Sequence, residues 1–427
     1  MTRMVVSLSA LIMSVVLLVS GNAFLMTLLG IRLSIEEVSP NVIGWVLVCY
    51  SVGFVVGTLY VHRIIGRVGH IRAFAVFAAM AAVAALVYPM AMSAVFWALL
   101  RVLSGFSVAG VLVVIESWFS SRASNTNRGA LFAVYQIIYY LSAAGGQLVV
   151  NIGDPSDFLP FSLAAILLAL AVIPLSLTRM EAPPIEQTER LSIFKLGRES
   201  FSGVAGAILG GALMGSFYAL GPVYATLVGL DVGRTSTFMA SAIIAAMILA
   251  WPLGRVCDRF DRRRVMFWVA LTAAAAALGV ALTGTVSLAL LTVLVGLFTG
   301  LTATLYPIAV AITNDRMDSN RIVAASATLL LSYGIGSVIG PVVLGELINL
   351  MGPSGLFFGN AALLVLLAVI TGYRIMATVD VPVEDQEHFV PTMPETSPVL
   401  AELDPRNEEF QESPEVEEMN ESQGQTG

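Results

Sequence analysis

The sequence predicts an all-α membrane protein with twelve membrane-spanning helices and a disordered acidic C-terminal tail. Hydrophobic residues make up 57% of the 427 positions, against roughly 45–50% in soluble domains, and the mean hydropathy is +0.86. Residues 5–31 alone form a run of 27 positions without a charge, and about 20 apolar residues suffice to cross a bilayer. These two observations predict that the chain lies in a membrane.

Twelve apolar runs are separated by short connections, most of them marked by Gly, Pro, Asn or Asp, which favour turns. The expected spans are 6–29, 42–61, 73–91, 94–118, 129–151, 158–178, 203–228, 235–256, 265–282, 287–312, 322–349 and 355–376. The longest connection is polar, contains prolines and divides six spans from six. The expected domains are a first six-helix bundle (1–178), a cytoplasmic central loop (179–202), a second six-helix bundle (203–377) and the tail (378–427).

The tail carries most of the acidic charge of the protein. Residues 378–427 contain 14 Asp and Glu against one Arg, so the preceding part has 15 acidic and 21 basic residues. Repeated prolines and weak hydrophobic periodicity leave too little apolar surface to offset the entropy lost on ordering. We expect a solvated, disordered segment, with a partner-binding segment as the alternative.

The basic residues predict the orientation. If both termini face the cytoplasm, 18 Lys and Arg residues lie in cytoplasmic segments, and only Arg32 and Arg234 lie in the segments on the other side. Cytoplasmic loops of membrane proteins carry an excess of Lys and Arg. The distribution therefore predicts cytoplasmic termini, and it predicts that the arginine-rich stretch 254–264 is a cytoplasmic loop.

An internal repeat relates the two sets of six spans. Arg67 precedes Arg259 by 192 residues, and Tyr140 precedes Tyr333 by 193. The pair Asn127-Arg128 likewise lies 193 positions before Asn320-Arg321. Because six is even, two such halves run in the same direction across the membrane, an arrangement that places a solute pathway between them.

The stretch 254–263, "GRVCDRFDRR", resembles the G-x-x-x-D-R-x-G-R-R signature of the major facilitator superfamily, with Asp261 where glycine is usual. The copy in the first half keeps Arg67, Gly69 and Arg72 but has Gly66 in place of the aspartate. The resemblance covers about residues 5–377 and is strongest to a bacterial branch of transporters without an established substrate. It implies two pseudo-symmetric six-helix bundles, the fold of that superfamily, and a multi-pass protein of the bacterial cytoplasmic membrane.

The resemblance also implies a gate on the cytoplasmic side. Asp258 would dock on the start of span five (128–130) and latch the halves together, with Gly254 allowing close helix approach. Arg259 would offset the partial negative charge at the end of its helix. The expected gating residues are Gly254, Asp258, Arg259, Arg262, Arg67, Arg72 and Glu116. The alternative is that the arginines only set the topology.

Three of the charged residues within the expected spans are functional candidates. Arg101 opens an R-x-x-x-G pattern that the family also has, and it is expected either to bind solute or to extend its side chain to the interface. Glu116 is expected to pair with Arg67, Arg72 or Arg122 rather than to touch solute. Glu116 and Glu346 are the proton-coupling candidates, and Glu346 would otherwise face lipid headgroups.

Polar residues within the spans predict a solute site. Gln136 and Tyr140 lie four residues apart on one face of span five, and a tyrosine hydroxyl inside a membrane needs a partner. The expected substrate-binding residues are Asn22, Arg101, Gln136, Tyr140, Tyr218, Tyr306 and Tyr333. Hydrogen bonding between helices is the alternative for each. "GIGSVIGP" (334–341) resembles an antiporter element of the family but lies on span eleven instead of five, so it predicts a kink and close packing.

Several functions are excluded or disfavoured. The only lysine, Lys195, lies outside any phosphate-binding loop pattern, and three histidines, none within a span, disfavour zinc and histidine catalysis. We expect no enzyme activity, cofactor, metal or nucleic-acid partner. The prediction is a monomeric secondary transporter, surrounded by membrane lipid, that moves a small organic solute by alternating access and is coupled to protons. Drug or metabolite efflux by proton antiport is one alternative, and a non-transporting receptor or scaffold is another.

Overall fold

The computed structural model describes residues 2–121, 123, 128–177, 191–283, 287–317, 321–378, 381–386 and 388–393. Fifteen α-helices account for most of this part of the chain. They are α1 (Thr2–Ile35), α2 (Pro40–Val68), α3 (His70–Val87), α4 (Ala94–Ser121), α5 (Arg128–Val149), α6 (Leu159–Leu170), α7 (Val172–Ser176), α8 (Ile193–Glu199), α9 (Phe201–Leu227), α10 (Val232–Cys257), α11 (Arg262–Thr283), α12 (Leu288–Ala303), α13 (Leu305–Asn314), α14 (Ile322–Met351) and α15 (Gly355–Ala377). Arg122, residues 179–190 and residues 394–427 lie outside the described residues.

Eleven helical segments of the described chain are long and apolar enough to cross a membrane. They match the expected spans except the fifth. That span is a helix of 22 residues, α5, but it is not among the eleven because Gln136, Gln147 and three tyrosines make it less apolar. The polar residues of α5 are the ones from which the sequence predicts a solute site.

Two expected spans are interrupted within the membrane. The span predicted over 287–312 consists of α12 and α13, which are separated at Thr304, and the span predicted over 158–178 breaks at Ala171. The Thr304 hydroxyl donates a hydrogen bond to the carbonyl of Leu301 at 2.7 Å. The same carbonyl also accepts the backbone N–H of Thr304 at 3.2 Å, so the hydroxyl adds a second hydrogen bond at the break.

The helix pairs of the first six spans recur in the second six. In the first, α2 packs on α4, α1 on α5 and α3 on α6; in the second, α10 packs on α12, α9 on α14 and α11 on α15. Each helix pair of the second six spans consists of the spans that lie six positions later in the chain than a pair of the first six. The recurrence supports a duplicated unit.

Four helix contacts join the two sets of six among the described residues: α2 with α14, α5 with α10, α1 with α9, and α2 with α9. Small residues allow the backbones to approach closely. A Cβ atom added to Gly44 would lie 2.6 Å from the carbonyl oxygen of Pro341. The predicted close packing of the 334–341 element also holds within the second six spans, since a Cβ at Gly336 would lie 1.8 Å from the carbonyl oxygen of Ile208 in α9.

The two ends of the bundle differ in charge. The basic end carries the turn between α2 and α3 and the turn between α10 and α11, where Arg67, Arg72, Arg259 and Arg264 are exposed. The opposite end carries Arg32 and Arg234. Arg32 pairs with Glu36 at 2.7 Å, and Asp231 accepts a hydrogen bond from the backbone N–H of Arg234 at the start of α10.

Candidate functional site

A cavity of about 170 Å³ lies at the centre of the bundle, between the two sets of six spans. Helices α1, α2, α4 and α5 line it on one side, and α9, α10 and α14 line it on the other. Most of the lining is apolar, and the polar groups are few. Four of the seven predicted substrate-binding residues contribute to the lining: Asn22, Tyr140, Tyr218 and Tyr333.

The remaining three predicted residues surround this cavity. Tyr306 packs edge-to-face against Tyr333, with ring centroids 5.2 Å apart. It therefore lies behind the aromatic ring of Tyr333, which lines the cavity. Gln136 lies one turn from Tyr140 towards the basic end and lines a separate small cavity with it. Arg101 contacts two residues of the central lining.

Arg101 is nearly inaccessible to solvent, at 1% exposure. Its guanidinium carbon lies 4.5 Å from the ring centroid of Tyr50, and its Nη2 lies 2.6 Å from the sulfur of Met26. Both neighbours line the central cavity. In the described part of the chain, the Nε and Nη1 atoms of Arg101 have no hydrogen-bond partner. The side chain is buried and does not extend to the membrane interface.

A buried, incompletely paired guanidinium is costly because ionised groups lose their hydration on burial. The face of the Tyr50 ring offsets part of this cost through a cation–π contact. An arginine fork matches a carboxylate in geometry and charge. The guanidinium thus has the chemistry that suits an anionic group, and Tyr50 and Met26 lie between it and the cavity.

Sequence reasoning missed three polar residues that line the cavity, Thr27, Tyr50 and Gln147. Asn22 donates a hydrogen bond to the hydroxyl of Tyr50 at 3.2 Å, and the Thr27 hydroxyl donates to Oε1 of Gln147 at 2.5 Å. The rule that selected Tyr140 would have selected Tyr50 as well, because it is a tyrosine in the middle of a predicted span. Nothing in the local sequence distinguishes Thr27 from the hydroxyls that bond to their own helix.

Glu116 lies in α4 and has no solvent exposure. The hydroxyl of Tyr135 in α5 donates a hydrogen bond to Oε1 of Glu116 at 2.7 Å. Of the partners predicted for Glu116, Arg67 and Arg72 are exposed at the basic end, and Arg122 lies outside the described residues. The second proton-coupling candidate, Glu346, is exposed near the opposite end, which fits the headgroup alternative.

At the basic end, the predicted latch is open. Residues 129 and 130, at the start of α5, are exposed, and Asp258 accepts a hydrogen bond from the backbone N–H of Phe389 at 2.7 Å. A Cβ atom added to Gly254 would lie 3.0 Å from the Phe389 ring. The chain segment that follows α15 therefore contacts the residues that were expected to meet the first half.

Arg262 has a role within the second six spans. It is 1% exposed, pairs with the carboxylate of Asp315, and donates a hydrogen bond to the carbonyl of Ala311 at 3.4 Å. The pair connects the start of α11 to the end of α13. Arg259 is exposed at the turn between α10 and α11. Its side chain is free to face water or lipid headgroups.

At the opposite end, the two sets of six spans are closed against each other. Asn151, which follows α5, donates a hydrogen bond to the hydroxyl of Ser236 in α10 at 3.2 Å. That hydroxyl donates in turn to the carbonyl of Gln147 at 2.6 Å. These bonds join the two sets of six spans next to Gln147, which lines the central cavity.

A multi-pass helical bundle whose repeated halves enclose a cavity, closed at one end, defines the class of membrane transport proteins. The family profile of the Major Facilitator Superfamily matches residues 4–303 and 239–403. The chain belongs to this superfamily, as its loop signature predicts. It is a multi-pass membrane protein of a transporter family.

Relatives of similar length have no established substrate. The chain is 32% identical over 340 residues to the uncharacterized MFS-type transporter YcaD of Escherichia fergusonii, covering 78% of this chain and 86% of that one. It is 30% identical over 341 residues to the uncharacterized MFS-type transporter Ent638_1421 of Enterobacter sp. (strain 638), with the same coverage. Both proteins match the prediction of a branch without a known substrate.

Solved transporter structures share the fold. The nucleoside transporter NupG superposes with a TM-score of 0.73 at 16% identity, covering 87% of this chain and 100% of that one. The E. coli fucose:proton symporter FucP superposes with a TM-score of 0.55 at 12% identity, covering 87% and 99%. At such identities the likeness establishes the fold alone.

Proposed function

We propose that the protein is a secondary active transporter that moves a small organic anion by alternating access. The single observation that carries this proposal is the buried guanidinium of Arg101 next to the central cavity, whose Nε and Nη1 atoms have no hydrogen-bond partner among the described residues. The mostly apolar lining favours a solute with an apolar body. Amphipathic carboxylates combine both properties.

Alternating access is supported by the asymmetry between the two ends. The opposite end is closed by bonds between α5 and α10, whereas the latch at the basic end is open. We propose that all twelve segments span the bacterial cytoplasmic membrane, with α5 as the twelfth, and that both termini and the basic end face the cytoplasm. In this state the two halves would then be joined on the far side of the membrane and apart on the cytoplasmic side.

Proton coupling is proposed to use Glu116. It is fully buried, and its carboxylate is hydrogen-bonded to α5, a helix that lines the cavity. A buried carboxylate can gain or lose a proton as its surroundings change. Glu346 lacks this burial, so we do not assign it a proton.

The test is a ligand screen on the full chain purified in detergent. Melting temperatures are measured against a panel of small monocarboxylates and, for each acid, its neutral amide. Binding only to the folded state raises stability, by about 2.7 kcal/mol at 100 times Kd. We expect at least one acid to raise the melting temperature while its amide does not. Equal stabilisation by acids and amides would contradict an anion site.

A further inference from the structure

A short segment of the chain after α15 is packed inside the bundle at the basic end. Residues 388–393, here named the plug segment, belong to the stretch that the sequence predicts to be solvated. Val390 is only 9% exposed and Met393 only 3%. The expectation of a solvated tail therefore does not hold for Val390 and Met393, because the helices cover their apolar side chains.

The plug segment bonds to both sets of six spans. The side chain of Gln136 in α5 donates a hydrogen bond to the carbonyl of Pro391. On the other side, the carboxylate of Asp258 accepts from the backbone N–H of Phe389 at 2.7 Å. The segment thus bridges the α5 and α10 sides at the end where the predicted latch is open.

The plug segment also lies on the route to the central cavity. Phe389, Pro391 and Thr392 line a small cavity together with Gln136, Tyr140, Ala246, Ala250, Ala303, Thr304 and Pro307. Tyr140 lines the central cavity too. Gln136 is one helical turn closer to the basic end than Tyr140. The segment therefore separates the central cavity from the basic end.

We propose that residues 388–393 are an autoinhibitory plug that blocks the solute pathway at the basic end. The segment bonds to Asp258 and covers Gly254, so these residues cannot contact the first half. The two halves therefore cannot approach each other at the basic end. Solute reaches the cavity only after the segment leaves. This proposal rests on the proposed transport function, since it describes how that pathway is regulated.

Attraction between the acidic residues that follow the plug segment and the arginines of the basic end would help to hold the segment in place. Residues 394–427, which follow it, contain ten Asp and Glu and one Arg, and the basic end exposes Arg67, Arg72, Arg259 and Arg264. Opposite charges that remain exposed attract each other over about 10 Å at 0.1 M salt. Raising the salt concentration should therefore weaken the plug without altering its apolar contacts.

The test measures access to the small cavity, which does not require transport. In the full chain with Cys49→Ser and Cys257→Ser, Ala250→Cys places a thiol beside the plug segment, and Phe260→Cys places one on the exposed turn as the control. A polar fluorescent maleimide is applied to inside-out membrane vesicles, and the labelling rate of each thiol is recorded.

We expect Phe389→Asp to accelerate labelling at position 250 about tenfold, because burial of the phenyl ring no longer favours the closed arrangement. A chain ending at residue 386 should give the same acceleration and serves as the second variant. Labelling at position 260 should not change. Unchanged labelling at position 250 in both variants would overturn the proposal.

A third variant separates the plug segment from the acidic stretch. A chain ending at Met393 keeps residues 388–393 and should label at position 250 more slowly than the chain ending at residue 386. Equal rates in these two chains would overturn the proposal, because the acidic stretch would then be what shields the cavity. A failure of the ligand screen would count against the transport function and would leave the labelling result unaffected.

Discussion

Tyr135 of α5 donates its hydroxyl to the carboxylate of Glu116 in α4 at 2.7 Å, and both side chains are fully buried. This bond joins a helix of the cavity wall to the only acidic residue described within the first six spans away from their ends. A buried carboxylate that loses a donor keeps its desolvation cost.

Tyr135→Phe should therefore lower stability by about 1–3 kcal/mol, the cost of a buried polar group that has lost a partner. The measurement is the melting temperature of the purified protein. Tyr373→Phe is the matched control, since Tyr373 is 65% exposed. An equal melting temperature for Tyr135→Phe and the unaltered protein would show that the bond adds nothing to stability.

Glu116→Gln should uncouple the transporter while retaining solute exchange, because the amide keeps the shape of the side chain but cannot take up a proton. The measurement is acidification in proteoliposomes that contain a pH-sensitive dye, after addition of an acid identified in the ligand screen. Glu346→Gln is the control and should behave as the unaltered protein. Normal proton movement in the Glu116 variant would remove this residue from the coupling mechanism.

Arg101→Ala should abolish the stabilisation by carboxylates while the protein remains folded in the membrane. Removal of the guanidinium leaves no buried cation beside Tyr50 and Met26 to bind the anionic group. The readout is the shift in melting temperature with the acid that stabilises the unaltered protein. Arg234→Ala, at an exposed position, should retain the full shift. Retention of the shift in the Arg101 variant would make this arginine structural.

Gly336→Ala should destabilise the fold by about 1–3 kcal/mol or more, because the added methyl group overpacks a tight contact. The new Cβ would lie 1.8 Å from the carbonyl oxygen of Ile208, so α9 and α14 would have to separate. Gly145→Ala is the control, since a Cβ there meets no atom within 4 Å. The yield of monodisperse protein and its melting temperature check both variants, and similar values for the two would contradict the packing argument.

The orientation can be tested with single thiols at each end. Arg234→Cys, at the opposite end, should react with a membrane-impermeant maleimide in intact cells. Arg264→Cys, at the basic end, should react only in inside-out vesicles. Labelling of position 264 from outside intact cells would reverse the proposed topology, and with it the cytoplasmic location of the plug segment.

The sequence predicts much of the helical framework because hydropathy reports directly on burial in lipid. The predicted span 42–61 lies within α2, Pro40–Val68, and the helix is longer because its ends continue beyond the apolar core. The break at Thr304 was not predicted. Hydropathy does not report it, but Pro307 lacks a backbone N–H and its ring clashes with the carbonyl of Ala303, where α12 ends, so the proline was the signal that could have predicted the break.

The candidate site was predicted in part for the same reason. Tyr140 and Tyr333 line the cavity, because hydroxyls within a span require polar surroundings. The contact of Gln136 with Pro391 could not be predicted, since it joins residues 255 positions apart. The tail has a composition typical of disorder, and Val390 and Met393 are buried only because the bundle offers a surface that composition does not reveal.

The repeat offset of 193 residues aligns α4, a continuous helix of 28 residues, with the interrupted pair α12 and α13. The positions corresponding to Arg101 and Glu116 are Leu294 and Ala309. The two corresponding spans therefore differ in stiffness. The span formed by α4 is continuous and carries ionised groups, whereas the span formed by α12 and α13 is interrupted and has none at the corresponding positions. When the protein changes conformation, the span formed by α12 and α13 should bend at Thr304, and α4 should move as a rigid body.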